Sequence, residues 1–200
     1  MMSRMNSGYY TVKLCIMGDG GVGKTTFIER LSTGRFDPTT KMTIGIDFSL
    51  IHHTVLLESV EQVPLDITCW DLGGQDRFRF MLSSYMSGAD GGLVLYDVNR
   101  FESTMGLPSW VKMFRENAKP DAPLYLIGSK ADLVNERVMS MVENNLRLLK
   151  QDLGINVHFL ISSKNDQTID NVLSAIALEM LNFKSQRLNA TSTHVFGRAF

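Results

Sequence analysis

The chain has 200 residues and a formal net charge of −1. That is enough length to bury roughly 70% of the unfolded surface in one domain, and too little charge to attract nucleic acid or anionic lipid through a general field. Its two cysteines, Cys15 and Cys69, sit in apolar strand-like runs, which reads as buried thiols in a reducing compartment rather than a disulfide or metal centre, so a cytoplasmic location is expected. No apolar run reaches the eighteen or so residues of a membrane span, and Met1 to Gly8 lacks the apolar stretch of a signal peptide.

After a flexible segment over 1–8, Tyr9 to Met17 predicts a strand that empties into Gly18-Asp19-Gly20-Gly21-Val22-Gly23-Lys24-Thr25. This matches the phosphate-binding pattern G-x-x-x-x-G-K-[ST] at every fixed position. The glycines let the backbone curl without Cβ clashes, so that successive N–H groups of Gly20 to Thr26 can face phosphate oxygens. Lys24 then supplies a point charge for the outer phosphates, and Thr25 offers a hydroxyl to Mg²⁺ at the start of a helix whose dipole favours the same anion. That helix should run from Lys24 to about Leu31, with Phe27, Ile28 and Leu31 as its apolar stripe. Ser32 to Thr43 is polar, contains Gly34 and Pro38, and predicts a surface loop long enough to be functional.

Two β-rich runs follow, Ile46 to Leu57 and Leu65 to Trp70, separated by Glu58 to Pro64; this spacing predicts an antiparallel hairpin with a long tip. Beyond it the pattern alternates. A loop at Asp71 to Asp76 leads into a helix to Met86, then the strand Gly92 to Asp97, a helix over about Thr104 to Asn117 and the strand Leu124 to Ile127. A helix from Val138 to Leu153, a strand from Val157 to Ile161 and a helix from Ile169 to about Phe183 complete the rhythm, with 184–200 as a fraying polar tail. Leu93 to Tyr96 and Leu124 to Ile127 are apolar throughout, as strands buried on both faces are. The expected fold is a three-layer, doubly wound α/β domain over 9–183, with a mostly parallel sheet and helices on both faces.

Ligands in such sheets bind at the carboxyl ends of the strands. The residues there form a consistent set: Asp71-Leu72-Gly73-Gly74-Gln75 after one strand, Ser129-Lys130-Ala131-Asp132 after another, and Ser162-Ser163-Lys164 after a third. An aspartate at Asp71 can hold Mg²⁺ directly or through water, and Gly74 can offer its N–H to a terminal phosphate with no side chain in the way. Gln75 would orient a water. The other two runs read as pieces of a guanine site.

With these residues in place the chain resembles the Ras superfamily of small GTPases, and most nearly its Rab branch, over roughly Tyr9 to Phe183. The resemblance implies a P-loop GTPase domain with a six-stranded sheet, one strand of it antiparallel. It also implies that Phe36 packs on the base and that Thr43 closes over Mg²⁺ and the γ-phosphate. Thr43 to Phe48 and Trp70 to Arg79 are similar to the two Rab switch signatures, and Phe48, Trp70 and Tyr85 to the aromatic triad presented to effectors. The implied activity is a Mg²⁺-dependent switch that binds GTP and GDP. Lys24, Thr43 and Gln75 would serve hydrolysis, and Thr25, Thr43 and Asp71 the metal. Asp132 would select guanine, with Ser129, Lys130, Ser162, Ser163 and Lys164 around the base. Effectors, an exchange factor and an activating protein are implied as partners of a monomer. Turnover alone is expected to be slow, on the order of 10⁻⁴ to 10⁻³ per second, because no arginine is identified that reaches the phosphates in cis. Gly20 leaves room beside them for one supplied in trans.

Several positions depart from the family pattern. Ser129 stands where asparagine is usual, and its hydroxyl makes fewer hydrogen bonds than an amide. Gly73 replaces the usual Rab alanine, as in Arf-type relatives, which permits a larger backbone change in this loop. No cysteine follows Cys69, so no prenyl anchor is expected and membrane contact is at most indirect. A nucleotide-dependent interaction module with little turnover is the alternative reading, and the retained Gln75 opposes it. His52 and His53 adjoin in a strand and so face opposite sides, which prevents them from sharing a metal.

Overall fold

A computed structural model describes residues 10–57, 61–75, 79–165 and 168–196. Six strands, β1 (Tyr10–Met17), β2 (Ile46–Leu57), β3 (Glu61–Leu72), β4 (Gly91–Asp97), β5 (Leu124–Ser129) and β6 (His158–Leu160), form one sheet in the order β2-β3-β1-β4-β5-β6. β2 runs antiparallel to β3, and every other pairing is parallel. Five helices, α1 (Lys24–Thr33), α2 (Arg79–Met86), α3 (Leu107–Asn117), α4 (Glu136–Leu153) and α5 (Thr168–Phe196), accompany them. This is the expected doubly wound arrangement, a mostly parallel six-stranded sheet with one antiparallel strand and accompanying helices.

The alternation of β1 sets the two core layers. Leu14 and Ile16 point to one face with Phe27 of α1 and Ile176 and Met180 of α5, while Cys15 and Met17 point to the other with Leu82, Trp110, Phe114 and Leu146. Both faces of the strand are therefore dry, and all seven residues of β4 are buried. Burial pushes the Cys15 and Cys69 thiols up to about 12, which leaves them inert packing groups. Among the described residues no helix is long and apolar enough to cross a membrane.

Three boundaries differ from those the sequence predicts. β3 already begins at Glu61 and pairs with β2 as far as Leu57 opposite Glu61, so Glu61 to Pro64 of the long tip expected over Glu58 to Pro64 are instead paired strand; 58–60 lie outside the described residues. Pro64 lies in β3 opposite Thr54 of β2, one residue before Leu65 and Tyr10, the first β1–β3 pair among the described residues. α3 starts at Leu107 rather than about Thr104, after a separate short turn at Phe101–Thr104, with Pro108 in its first turn where a missing N–H does no harm. α5 continues to Phe196 rather than ending near Phe183. No proline or glycine interrupts 184–196, and Lys184 Nζ donates to Thr11 O while Arg187 Nη1 donates to Pro120 O at 3.3 Å, fastening the first turn of the extension.

Phe27 is fully buried between α1 and the sheet. Phe27→Ala is expected to lower stability by about 3–5 kcal/mol, read as a lower urea midpoint with an unchanged slope; a loss below about 1 kcal/mol contradicts this account of the core.

Candidate functional site

β1 lies between β3 and β4, and the chain leaves its carboxyl end through the glycine-rich loop into α1. Such a reversal of strand order opens a crevice. Here it is a cavity of about 590 Å³, lined by Gly20, Gly21, Gly23, Lys24, Thr25 and Thr26 on one side and by Ser129, Lys130, Asp132, Ser163 and Lys164 on the other. Phe36 and Thr43 complete the wall from the loop after α1, and Gly74 from the segment after β3. The sequence did not single out Asp37, Pro38, Thr40, Lys41, Met42 and Leu133, which also line it. Their contribution comes from how the loop after α1 folds over the cavity, and no motif spacing encodes that.

The loop is held by partners on its carbonyls. Lys24 Nζ donates to Gly18 O at 2.9 Å and Asp19 O at 3.0 Å. Lys130 Nζ donates to Gly21 O at 2.7 Å and pairs with Asp97 at 2.7 Å. Ser129 Oγ lies 2.5 Å from Val22 O and 2.9 Å from Tyr96 O, so its single proton is spent between two backbone carbonyls. Gly23 O accepts from Phe27 N at 2.9 Å as the first bond of α1, and Gly23 itself takes the left-handed φ of 92° that turns the chain into that helix. Val22 is wholly buried in the core, so only its backbone belongs to the site.

Lys24 is 5% exposed. Burial lowers its pKa to about 8, against the opposing pull of Asp71 and then Asp19. Beside it, Thr25 Oγ1 donates to Asp71 Oδ2, Thr43 Oγ1 lies 3.1 Å from the same oxygen, and the two hydroxyl oxygens are 2.6 Å apart. The three residues proposed for a metal are thus brought to one point. Burial raises the Asp71 pKa, opposed first by the Thr25 hydrogen bond. Asp71 Oδ1 is buried without a hydrogen-bond partner, an unmet demand for a cation or donor. The donor set of two hydroxyls and a carboxylate is all hard oxygen, which suits Mg²⁺. No group of three or more His, Cys, Asp or Glu side chains placed to hold a metal ion occurs among the described residues; His52 pairs with Asp66 while His53 meets Ser174.

At the other end Asp132 Oδ1 accepts from Ser162 Oγ at 2.6 Å. Ser162 is buried behind Asp132, orienting it rather than lining the cavity. Phe36 sits at the rim. Gln75 is not on the cavity wall, and its amide donates to Met42 Sδ at 3.0 Å.

The segment after β3 approaches the phosphate loop more closely than any side chain allows. A Cβ on Gly74 would lie 2.3 Å from Gly20 N, and one on Gly73 would lie 2.5 Å from Gly45 O. The Gly73 substitution noted in the sequence therefore has a steric cause: Gly73 N donates to Gly45 O at 2.8 Å, and the two loops touch backbone to backbone. A Cβ on Gly20 would meet only Gly74 O at 4.0 Å, so the space beside it is open.

Outside the cavity, Phe48, Trp70 and Tyr85 form a row with successive ring centroids 6.0 Å apart. Phe48 is 69% exposed. The sequence also missed a network under the loop, where Asp19 accepts from Arg79 at 2.9 Å and from Trp110 Nε1 at 2.8 Å; its members lie in three distant segments.

The Ras family model matches residues 13–182. The Arabidopsis thaliana Ras-related protein RABE1d is 34% identical over 192 residues, covering 96% of this chain and 84% of the relative. The human Ras-related protein Rab-8B is 29% identical over 185 residues, covering 92% and 85%. RABA5b of Arabidopsis thaliana is 31% identical over 180 residues, covering 90% and 79%.

In ligand-free protein the Lys24 ammonium is expected to titrate near pH 8. Asp71→Asn removes the largest charge that opposes burial and should lower that value further. Nitrogen or carbon NMR of the lysine terminus checks both, and an ordinary lysine titration near pH 10 contradicts them.

Proposed function

The chain belongs to the Ras family, and we propose that it works as a Rab-like, Mg²⁺-dependent switch that binds GTP and GDP, hydrolyses GTP slowly and signals through the two segments that close on its cavity. The observation that carries this reading is that the phosphate-type loop and the Ser129-Lys130-Ala131-Asp132 run face one another across a single cavity.

The polyphosphate would lie against the N–H groups of the loop, with the Lys24 ammonium on its outer end. Thr25 and Thr43, with Asp71 directly or through water, would hold Mg²⁺, which when bound neutralises charge on the outer phosphates. Asp132, held by Ser162 on one lone pair of Oδ1, would accept the two N–H groups of the guanine edge one on each carboxylate oxygen. Adenine offers no such pair and would leave a desolvated carboxylate unmatched. Gln75 would leave Met42 to orient the attacking water. Because Thr43 and Gly74 both border the phosphate end, release of the terminal phosphate removes contacts from both segments and changes the outer surface. The exposed Phe48 and its neighbours Trp70 and Tyr85 provide the apolar surface on which effectors or regulators would read that change.

Phosphate release should therefore be seen from GTP and not from ATP; equal release from both overturns the guanine assignment. Gln75→Leu should slow single-turnover hydrolysis by at least about tenfold with nucleotide affinity retained. Unchanged turnover removes Gln75 from its role. Affinity for GDP should be steady between about pH 7 and 8 and fall above that by up to about tenfold per pH unit, since the ligand then has to bring a proton to Lys24. Calorimetry at pH 9 in buffers of different ionisation enthalpy would register that uptake, and its absence would show that Lys24 binds the phosphates from another charge state.

A further inference from the structure

Each carbonyl from Gly18 to Gly23 has a hydrogen-bond partner, and five of the six partners are side-chain donors: Lys24 on Gly18 and Asp19, Arg100 on Gly20, Lys130 on Gly21, and Ser129 on Val22. Lys24, Lys130 and Ser129 belong to motifs already assigned. Arg100 does not. It lies in the turn after β4, and its Nη2 donates to Gly20 O at 2.6 Å, a short hydrogen bond from a charged donor.

This arginine is exposed, yet its backbone is fixed. Arg100 N donates to Asp97 O at 3.0 Å, and Arg100 O accepts from the buried Ser103 through both Ser103 N, at 3.0 Å, and Ser103 Oγ, at 2.7 Å. The guanidinium is therefore delivered from a rigid turn. The Gly20–Gly21 peptide is trans, as are all peptide bonds among the described residues, so its N–H points away from the carbonyl that Arg100 holds. Both glycines line the cavity. Neither glycine has a side chain to restrict that peptide, and Arg100 holds its carbonyl while Lys24 and Lys130 hold the carbonyls on either side.

We propose that Arg100 is a positioning residue for GTP hydrolysis, holding and polarising the Gly20–Gly21 peptide so that its N–H meets charge developing on the phosphate chain. The inference rests on the guanine-nucleotide reading of the cavity. In the reaction the oxygen of water bonds to the terminal phosphorus as the bond from that phosphorus to the GDP oxygen breaks. The electron pair stays on GDP and the proton of water leaves with inorganic phosphate. Negative charge thus grows on the GDP side only as the bond breaks, and a polarised N–H there favours the transition state over bound GTP. The positive charge of Arg100 also reaches Lys24, whose pKa it helps to lower.

The test is single-turnover hydrolysis beside GDP affinity in Arg100→Ala, Arg100→Gln and Arg100→Lys. Removing a donor that touches the reacting group typically costs 10²–10³ in rate, and an effect relayed through a peptide should be smaller, about tenfold. Ala and Gln should both slow hydrolysis by that amount, with GDP affinity unchanged within about twofold, and Lys should recover most of the rate because it keeps donor and charge. Wild-type turnover in Arg100→Ala overturns the proposal. So does a parallel loss of rate and GDP affinity in all three variants, which would mark a purely structural brace. A wild-type protein that releases no phosphate from GTP overturns both this inference and the reading beneath it.

Discussion

The arrangement depends on one buried cation. Lys24 is nearly inaccessible, its charged form is destabilised by burial, and only carbonyl oxygens and nearby carboxylates offset that cost. An ammonium in such a place is poorly solvated and gains more from a polyanion than a surface lysine does. The glycine-rich loop exists around this group. Its carbonyls turn outward to side chains that cap them, and its N–H groups are left to the other side. Most of the neighbourhood follows from keeping that inversion of the backbone in place.

The caps come from distant parts of the sheet, and this is what makes the site a property of the fold. Lys130 and Ser129 arrive on the end of β5, Arg100 on the turn after β4, and Lys130 is itself held by Asp97 at the end of β4. Parallel pairing of β1, β4 and β5 brings these ends together. Ser129 shows how a short side chain works in this position. Its hydroxyl ties Val22 to Tyr96 and so joins the loop to β4, which preserves the mechanical link even though the proton is not left for a ligand.

The legible part of the molecule was the part written as local pattern. The loop from Gly18 to Thr25, the apolar runs of β4 and β5 and the run ending in Asp132 each state their role in consecutive residues, and the sheet order is consistent with them. What stayed hidden involved contacts between segments. Arg100 is an unremarked residue in a turn until β4 carries it to Gly20 O. Gly73 and Gly74 look like flexible residues until Gly45 and Gly20 are seen against their backbones. Pro64 suggested a loop because proline lacks a donor, but its pairing partner, Thr54 of β2, is supplied by another strand. The extension of α5 was missed for a related reason: its residues are polar, and the bonds from Lys184 and Arg187 that anchor it reach Thr11 and Pro120.

The same logic links the loop to α2 and α3. Asp19 sits in the turn of the phosphate loop, and its carboxylate takes both the Arg79 guanidinium at the start of α2 and the indole N–H of Trp110 in α3. Arg79 lies 4.7 Å from the centre of the Trp110 ring, and Trp110 is fully buried. The Asp19 carboxylate also fills the space beside Gly106, where a Cβ would come within 2.4 Å of it. α3 is anchored in the core and cannot follow a displaced loop, because close-packed interiors rearrange between discrete states rather than stretch. Arg79 opens α2, so one carboxylate ties the loop to both helices at once.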